Sequence, residues 1–325
     1  MIQSPLKKDQ IVAGIDIGGT NTEIGLIDAS GKCLDRSVLR TKNFDDPEIL
    51  AQAMAGAIEE MAGSEMSSLK GIGIGAPNGN FYTGCIEHAP NLLWKGILPI
   101  ADMMNQRISV PVALTNDANA AAVGEMKYGK AQGMKNFISI TIGTGLGSGI
   151  VVNGDILYGH SGFAGEMGHT TAVPEGRQCT CGRKGCLETY VSARGLVMTT
   201  RELLEKDPAG SHLASLKGDM LTPYRIHEAA KSGDRIAIEA FATLGHILGR
   251  VIADAAAYFS PEAIFLFGGL SRAGDLLLEP TRKSFQAHLL PILHGSVSVE
   301  LSSLNEDNAA ILGAGALIWN QIQPS

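Results

Sequence analysis

Two stretches of this chain, about 125 residues apart, share one pattern, and that pattern restricts the fold more than any other feature. The first reads IVAGIDIGGTNTEIGLIDASGKCL and the second ISITIGTGLGSGIVVNGDILYG. In each, a β-rich run (Ile11–Ile17, then Phe137–Thr141) meets a Gly-rich tip, a second run and a glycine-containing turn. In the first stretch the second run is Glu23–Ile27 and the turn is Asp28-Ala29-Ser30-Gly31. Ile15, Ile17 and Gly18 correspond to Ile140, Ile142 and Gly143. The matching order predicts an internal duplication, with one hairpin opening each half. Such a tip presents backbone N–H groups and a hydroxyl to an anion, as phosphate sites do. The plainer alternative is an ordinary hairpin turn. The first tip also carries an acid, Asp16, at the end of its strand, a place from which Mg²⁺ can be held. No lysine follows in the G-x-x-x-x-G-K-[ST] manner, so this is not that phosphate loop.

Between the hairpins the pattern is that of a parallel sheet with crossovers. Asp46 and Pro47 start a helix as N-cap and first-turn residue, and Leu50, Met54, Ala57, Ile58 and Met61 recur at helical spacing. Leu69–Gly75 is a short apolar strand running into the turn-rich Ala76-Pro77-Asn78-Gly79-Asn80. Val110–Leu114 is another strand, and Ala120–Tyr128 a helix. Open α/β sheets place ligands at the carboxyl ends of their strands. Asn78 and the segment Pro90-Asn91-Leu92-Leu93-Trp94 are thus candidates for a polar-ligand mouth, although a lone Asn in a loop also reads as a turn residue. Asp117 stands at a strand–helix junction. An acid there either caps the helix or serves as a base, and the residues leave both open.

Downstream of the second hairpin, residues 162–188 read GFAGEMGHTTAVPEGRQCTCGRKGCLE. His169, Cys179, Cys181 and Cys186 have the number and chemistry of a tetrahedral zinc site. Four protein ligands leave no open position, so the metal is structural. Glu166 and Glu188 flank the cluster, and a metal there would fold the loop and turn both carboxylates toward one place. Cys33 and Cys85 read as ordinary apolar residues. Helices follow over Ser192–Lys206, Ile226–Lys231 and Asp234–Tyr258, separated by the polar, irregular stretch Asp207–Pro223. The longest helix carries a core stripe of Ile238, Phe241, Leu244, Ile247, Leu248, Val251 and Ala255. Ala263–Phe267 is a buried strand ending in Gly268-Gly269, where a nucleoside or a plain turn fits equally. Val297–Leu301 is a last strand. The helix Asn308–Gln321, with Asp307 as a possible cap, returns to the first half and joins the two.

Composition sets the limits. At 325 residues the chain is long enough for two domains. A net charge of −7 with no basic block argues against nucleic acid as a partner. Residues 1–9 form a polar tail unlike a signal peptide, and no 18-residue apolar run stands out, so a cytoplasmic chain is expected. Five cysteines in a reducing compartment favour metal over disulfides.

Asp16-Ile17-Gly18-Gly19-Thr20, Gly143-Thr144-Gly145-Leu146-Gly147, Gly165-Glu166-Met167-Gly168-His169 and the run from Cys179 to Glu188 together resemble the ROK family of bacterial sugar kinases and repressors. The resemblance spans nearly the whole chain. It implies an α/β, two-lobed actin-like or hexokinase-like fold, a duplicated ribonuclease H-like unit with a central cleft. Residues 1–115 with 306–325 would form the small lobe, and 116–305 the large lobe with the zinc loop. It implies an ATP-dependent hexose 6-kinase, glucose first, with N-acetylmannosamine, mannose, fructose or N-acetylglucosamine as alternative acceptors. Asp117 matches the catalytic base. Asn116, Glu166, His169 and Glu188 match sugar ligands, with Asn78 and Asn91 beside them. Asp16, Gly18, Gly19, Thr20, Thr144 and Gly145 match the Mg²⁺ and phosphate positions of Mg-ATP, and Gly268 and Gly269 the nucleoside contact. Asn21 stands where many members carry Lys or Arg, and Pro77-Asn78-Gly79 where Pro-Gly is usual. The family implies a homodimer and closure of the lobes on the substrates. Repressor members need a DNA-binding module ahead of the first hairpin; about ten residues stand there, so a sugar sensor without kinase activity ranks below the kinase.

Overall fold

The computed structural model describes residues 10–216, 218–304 and 306–322. The tail at 1–9 lies outside them, as does the side chain of residue 307. In chain order the strands and helices are β1 (Ile11–Ile17), β2 (Thr22–Asp28), β3 (Cys33–Leu39), α1 (Pro47–Ala62), β4 (Leu69–Ala76), β5 (Gly79–Asn80), β6 (Cys85–Glu87), β7 (Ile97–Leu98), α2 (Ile100–Arg107), β8 (Val112–Asn116), α3 (Asp117–Tyr128), β9 (Phe137–Ile142), β10 (Leu146–Val152), β11 (Asp155–Ile156), α4 (Ala193–Lys206), α5 (Pro223–Lys231), α6 (Arg235–Phe259), β12 (Ala263–Phe267), α7 (Asp275–His288), β13 (Ser298–Leu301) and α8 (Glu306–Ile322).

The chain divides into two compact units. One comprises Met1–Gly133, Ile156–Ala164 and Ser303–Ser325; the other comprises Met134–Asp155 and Gly165–Ser302. The expected break between residues 115 and 116 falls inside the first unit, at the join of β8 and α3. Helix α3 stays with this unit because α8 packs along it.

The expected duplication is present strand for strand. The first sheet has the order β3-β2-β1-β4-β8 and the second β11-β10-β9-β12-β13. In both, the opening pair is an antiparallel hairpin and the later strands run parallel to the first. Both hairpin tips are closed alike: Gly18 N–H donates to Asn21 O at 2.9 Å, and Gly143 N–H to Gly145 O at 3.0 Å.

Branched apolar residues alternate through β1 and bury both faces of the first sheet. Ile15, Ile17, Ile74 and Leu114 pack toward α1 and α2 on one face. On the other, Val12, Ile27 and Ala113 meet Ile318 and Trp319 of α8. That helix lies so close that a methyl group on Gly73 would sit 1.8 Å from Ala314 O, and one on Gly14 2.0 Å from Ile311 O. Asp46 caps α1 as expected, accepting from Glu48 N at 2.8 Å.

Several elements differ from the sequence reading. Strand β3 is mostly exposed and carries Asp35 and Arg36, as edge strands do. The small sheet β5-β6-β7, helix α2 and helix α7 were not anticipated. Pro280 hides α7, since proline normally breaks a helix interior. Here its ring fills the space left by Gly245 of α6, and a methyl group on that glycine would lie 2.7 Å from Pro280 Cγ. Ile238, assigned to the α6 core stripe, is 42% exposed, and Val251 is only half-buried. The rest of the stripe, Phe241, Leu244, Ile247, Leu248 and Ala255, is buried as expected, and Ala237 takes the place of Ile238. Helix α6 is also long and apolar enough, by composition, to cross a membrane, contrary to the expectation of no such run. Its stretch has mean hydropathy 1.5, but 61% of it is buried within the protein, where α7 and α4 pack against it.

Replacing Gly73 by alanine sets a methyl group against the α8 backbone, which cannot yield without moving the helix. Gly73→Ala is expected to lower the unfolding free energy by about 3 kcal/mol. Urea unfolding of the full-length chain measures this, and an unchanged midpoint contradicts the backbone-on-backbone packing.

Candidate active site

In the first unit, β1, β4 and β8 are parallel neighbours, so their carboxyl ends share one edge. Register sets Asp16 beside Gly75, Gly75 beside Thr115, and Ala76 beside Asn116. Gly75 has no side chain to separate its neighbours. A methyl group there would lie 3.7 Å from Asp117 Cα and 3.8 Å from Asp16 Oδ1. The two acids therefore share the space above the central strand.

The junction of β8 and α3 divides capping from chemistry. Asn116 is the cap, its Oδ1 accepting from Asn119 N at 2.7 Å. Asp117, the first helical residue, accepts only from the helix start, from Ala118 N at 2.9 Å, and stays open to solvent. Dense protein surroundings push its carboxyl pKa up, while the Ala118 amide and its own amide pull the other way. Asp16 is pushed up to about 7, by burial first, then by Asp117 and Glu23. Two acids held this way are short of positive charge, and a Mg²⁺-bound nucleotide would supply it.

Around this edge lie the other predicted residues of the first unit. Gly18, Gly19, Thr20 and Asn21 form the tip, with Thr20 and Asn21 exposed. A methyl group on Gly19 would approach Asn91 O to 2.5 Å, so the Asn91 loop lies directly on the tip. Asn78 is exposed, has φ 50° and donates from Nδ2 to Glu87 O at 3.0 Å. Its amide thus holds its own loop together, the turn role that the sequence left open.

In the second unit, Thr144 and Gly145 form the matching tip. Glu188 lies on it: its carboxylate accepts from Leu146 N at 3.1 Å, and a methyl group on Gly145 would come within 2.3 Å of Oε2. Gly268 ends the neighbouring strand β12, where Phe267 is in register with Thr141. It has φ 97°, which favours glycine, and Gly269 follows it into a short turn of helix. The glycines Gly143, Gly145, Gly268 and Gly269 thus crowd one edge of the second sheet.

His169, Cys179, Cys181 and Cys186 converge, with all ligand atoms within 4.8 Å of one another. His169 Nδ1 is 3.7 Å from Cys179 Sγ, and Cys181 Sγ is 3.6 Å from Cys186 Sγ. A tetrahedral Zn²⁺ with bonds of about 2.0–2.3 Å needs edges of roughly 3.5–3.8 Å, which these two separations match, so the donor set and its convergence suit that ion. The neighbouring groups also call for a cation. Burial, then Cys181 and Cys179, push the Cys186 thiol up to about 12, and a bound divalent ion reverses that. No disulfide competes for these thiols. The Nδ1 of His169 faces the cluster, leaving Nε2 for another partner. Leu187 N donates to Thr170 O at 3.0 Å, which ties the turn bearing Glu188 to the segment bearing His169. Glu166 precedes the short helical turn Met167–His169 and is exposed.

Ser148 is a residue the sequence reading missed. Its hydroxyl bonds to Gly165 O and accepts from Met167 N at 3.3 Å, bracketing Glu166. The serine directly follows the Gly143–Gly147 motif, but its spacing to Gly165 and Met167 is long-range, so no local pattern marks its role.

Two α/β units of like topology, each with a glycine tip suited to an anion and the first with two acids at its strand ends, suit a protein that handles phosphate, and comparison with known proteins narrows the class. The ROK family model matches residues 12–321. The chain is 37% identical over 319 residues to a glucokinase of Halalkalibacterium halodurans, covering 96% of each chain. It is 31% identical to a xylose repressor of Caldicellulosiruptor bescii, covering 94% of this chain and 77% of that one. The crystal structure of a ROK glucokinase from Streptomyces griseus in complex with glucose and AMPPNP superposes with TM-score 0.77 at 35% identity, covering 94% and 98% of the two chains. The protein belongs to the ROK family.

Two outcomes follow from this geometry. Cys181→Ser is expected to lower the bound zinc, measured by elemental analysis of the purified protein, and to speed proteolysis within residues 165–188; full metal content would contradict the four-ligand site. The second concerns Asp16, whose folded-state pKa of about 7 lies above its ordinary 3.8. The folded protein keeps a proton that the unfolded chain releases, so the stability tied to that proton is full below about pH 4 and lost as pH rises toward 7. Asp16→Asn should therefore melt higher than the parent near pH 8 and equal to it near pH 4. The same offset at both pH values would contradict the shift.

Proposed function

We propose that this protein is an ATP-dependent hexose 6-kinase of the glucokinase type. The observation that carries the reading is the pair Asp16 and Asp117, brought together above Gly75 at the edge of the first sheet. A protein that only senses sugar has no use for two acids crowded in this way, whereas phosphoryl transfer uses both. Identity is also higher to the glucokinase than to the repressor, 37% against 31%.

In this reading Asp117 accepts a hydrogen bond from the sugar 6-hydroxyl and orients its oxygen toward the γ-phosphorus of ATP. As the new O–P bond forms, the bond from the γ-phosphorus to the bridging oxygen breaks, the hydroxyl proton passes to Asp117, and ADP leaves. Little covalent chemistry is asked of the protein; positioning and charge neutralisation do most of the work. Asp16 holds the Mg²⁺ of Mg-ATP. The N–H groups and hydroxyls around Gly18, Gly19, Thr20, Asn21, Thr144 and Gly145 receive the phosphates, and Gly268 and Gly269 the nucleoside. Asn116, Glu166, Glu188 and the Nε2 of His169 recognise hydroxyls, with Asn91 on the first tip and Asn78 shaping its loop. Each acceptor that a wrong sugar leaves unpaired and desolvated costs roughly 1–3 kcal/mol, which is how these groups would select among sugars. His169, Cys179, Cys181 and Cys186 would hold a structural zinc, which would fix the His169 ring and leave its Nε2 for the sugar. We place the enzyme in the cytoplasm, where ATP is available and thiols stay reduced, as a homodimer without nucleic-acid partners.

Asp117→Asn keeps the shape of the helix start but removes the base. In an ADP-release assay with glucose, kcat should fall by about 10²–10⁴ while KM for glucose changes little. A variant retaining most of its turnover ends the assignment. A panel of glucose, mannose, fructose, N-acetylglucosamine and N-acetylmannosamine in the same assay should give the highest kcat/KM for glucose; another sugar in first place would move the enzyme to a different kinase class.

A further inference from the structure

Arg177 lies in the thiol-bearing loop, two residues before Cys179, and its side chain is 9% exposed. All five of its guanidinium N–H groups are used. Nε donates to Glu202 Oε1 at 2.9 Å and Nη2 to Glu202 Oε2 at 2.8 Å, a two-point fork. Nη2 also donates to Thr199 Oγ1 at 2.9 Å. Nη1 donates to Thr189 O at 2.7 Å and to Gly195 O at 3.3 Å. The guanidinium carbon stands 4.4 Å above the centre of the Tyr190 ring. The backbone joins in: Arg177 N donates to the Tyr190 hydroxyl at 2.9 Å, and Arg177 O accepts from Gly185 N at 2.8 Å.

Stability alone does not account for this arrangement. Glu202 is half-exposed, and an ion pair of that kind contributes little, about 1 kcal/mol or less. The partners are better explained by where they stand. Thr189 and Tyr190 follow Glu188 directly, and Gly185 precedes Cys186. The cluster fixes the chain at Cys186, two residues short of Glu188, so rotations beyond it remain to be set. A guanidinium on the Thr189 carbonyl sets them from the other side. The turn Leu187–Thr189 is thereby pinned at both ends, and the Glu188 carboxylate is held on Leu146 N.

We propose that Arg177 is a positioning residue for Glu188, linking helix α4 and the thiol loop to the orientation of that carboxylate toward the sugar. This rests on Glu188 being a sugar ligand. Lysine cannot replace it, because an ammonium has three donors and no planar fork.

The test uses the full-length, zinc-containing enzyme. Arg177→Lys should keep its zinc and a kcat within about twofold, while KM for glucose rises roughly tenfold. Glu202→Gln leaves the guanidinium in place but loosens its fork, and should raise KM in the same direction by a smaller factor; it serves if Arg177→Lys folds poorly. The double variant Arg177→Lys with Glu188→Gln should show the KM of Glu188→Gln alone, since a residue acting through another adds nothing once its target is gone. An unchanged KM in both Arg177→Lys and Glu202→Gln, where Glu188→Gln raises it, overturns the inference. So does loss of zinc together with KM, or effects that multiply in the double variant. An unchanged KM in Glu188→Gln overturns instead the assignment of Glu188 to the sugar, and the inference with it.

Discussion

In the second half, His169, Cys179, Cys181 and Cys186 meet at one point, and the loop that bears Glu166 and Glu188 is built around them. From Gly165 to Glu188 the chain has only short helical turns and isolated bridges. Regular backbone ladders therefore do little to hold this loop. The convergence of His169, Cys179, Cys181 and Cys186 gives it a point of closure of its own. Metal binding of this kind is folding free energy, because the ligands meet only in the folded loop. The consequence is positional: His169 is a ligand on one side of its ring, and Glu188 stands two residues past the last thiol, on the second glycine tip. Ser148 holds the Glu166 turn from beneath. Glu166, His169 and Glu188 thus stand in a loop organised around the thiol cluster and its neighbours rather than on a long helix or strand.

The first half solves the opposite problem. There the acids come from regular strand ends, and the sheet itself places them. Parallel register carries Asp16 and the Asn116-Asp117 pair to one edge, and the bare Gly75 between them lets the carboxyls approach. Burying Asp16 there is costly, and Asp117 and Glu23 add to that cost; together they push its pKa up to about 7. The sheet can bear it because its buried faces are dense with Ile and Leu and because α8 lies directly on the backbone at Gly14 and Gly73. Stability in the scaffold offsets strain at the site.

How much of this the sequence disclosed follows from what kind of signal each part leaves. The duplication was legible because identical local order, a strand, a glycine tip and a strand, was written twice. The thiol cluster was legible because metal ligands have chemistry and spacing at once. Asp117 was legible only as a choice between cap and base; the structure shows Asn116 taking the cap, which frees Asp117. Strand β3 was missed because an exposed edge strand lacks apolar alternation, and α7 because Pro280 mimics a stop signal, although its ring packs into the room that Gly245 of α6 leaves. Ile238 was misassigned because helical spacing gives the phase of a stripe but not which face meets the core. Arg177 left no trace at all: its meaning lies in partners up to 25 residues away, which no local pattern encodes.

The most direct measurement is zinc K-edge absorption on the enzyme as purified, with and without glucose. The account gives a first shell of three sulfurs at about 2.3 Å and one nitrogen at about 2.0–2.1 Å, unaltered by sugar. A shell rich in oxygen, or one that exchanges a ligand when glucose is added, would mean that the metal does not build the wall that holds Glu188, and the account would fail there.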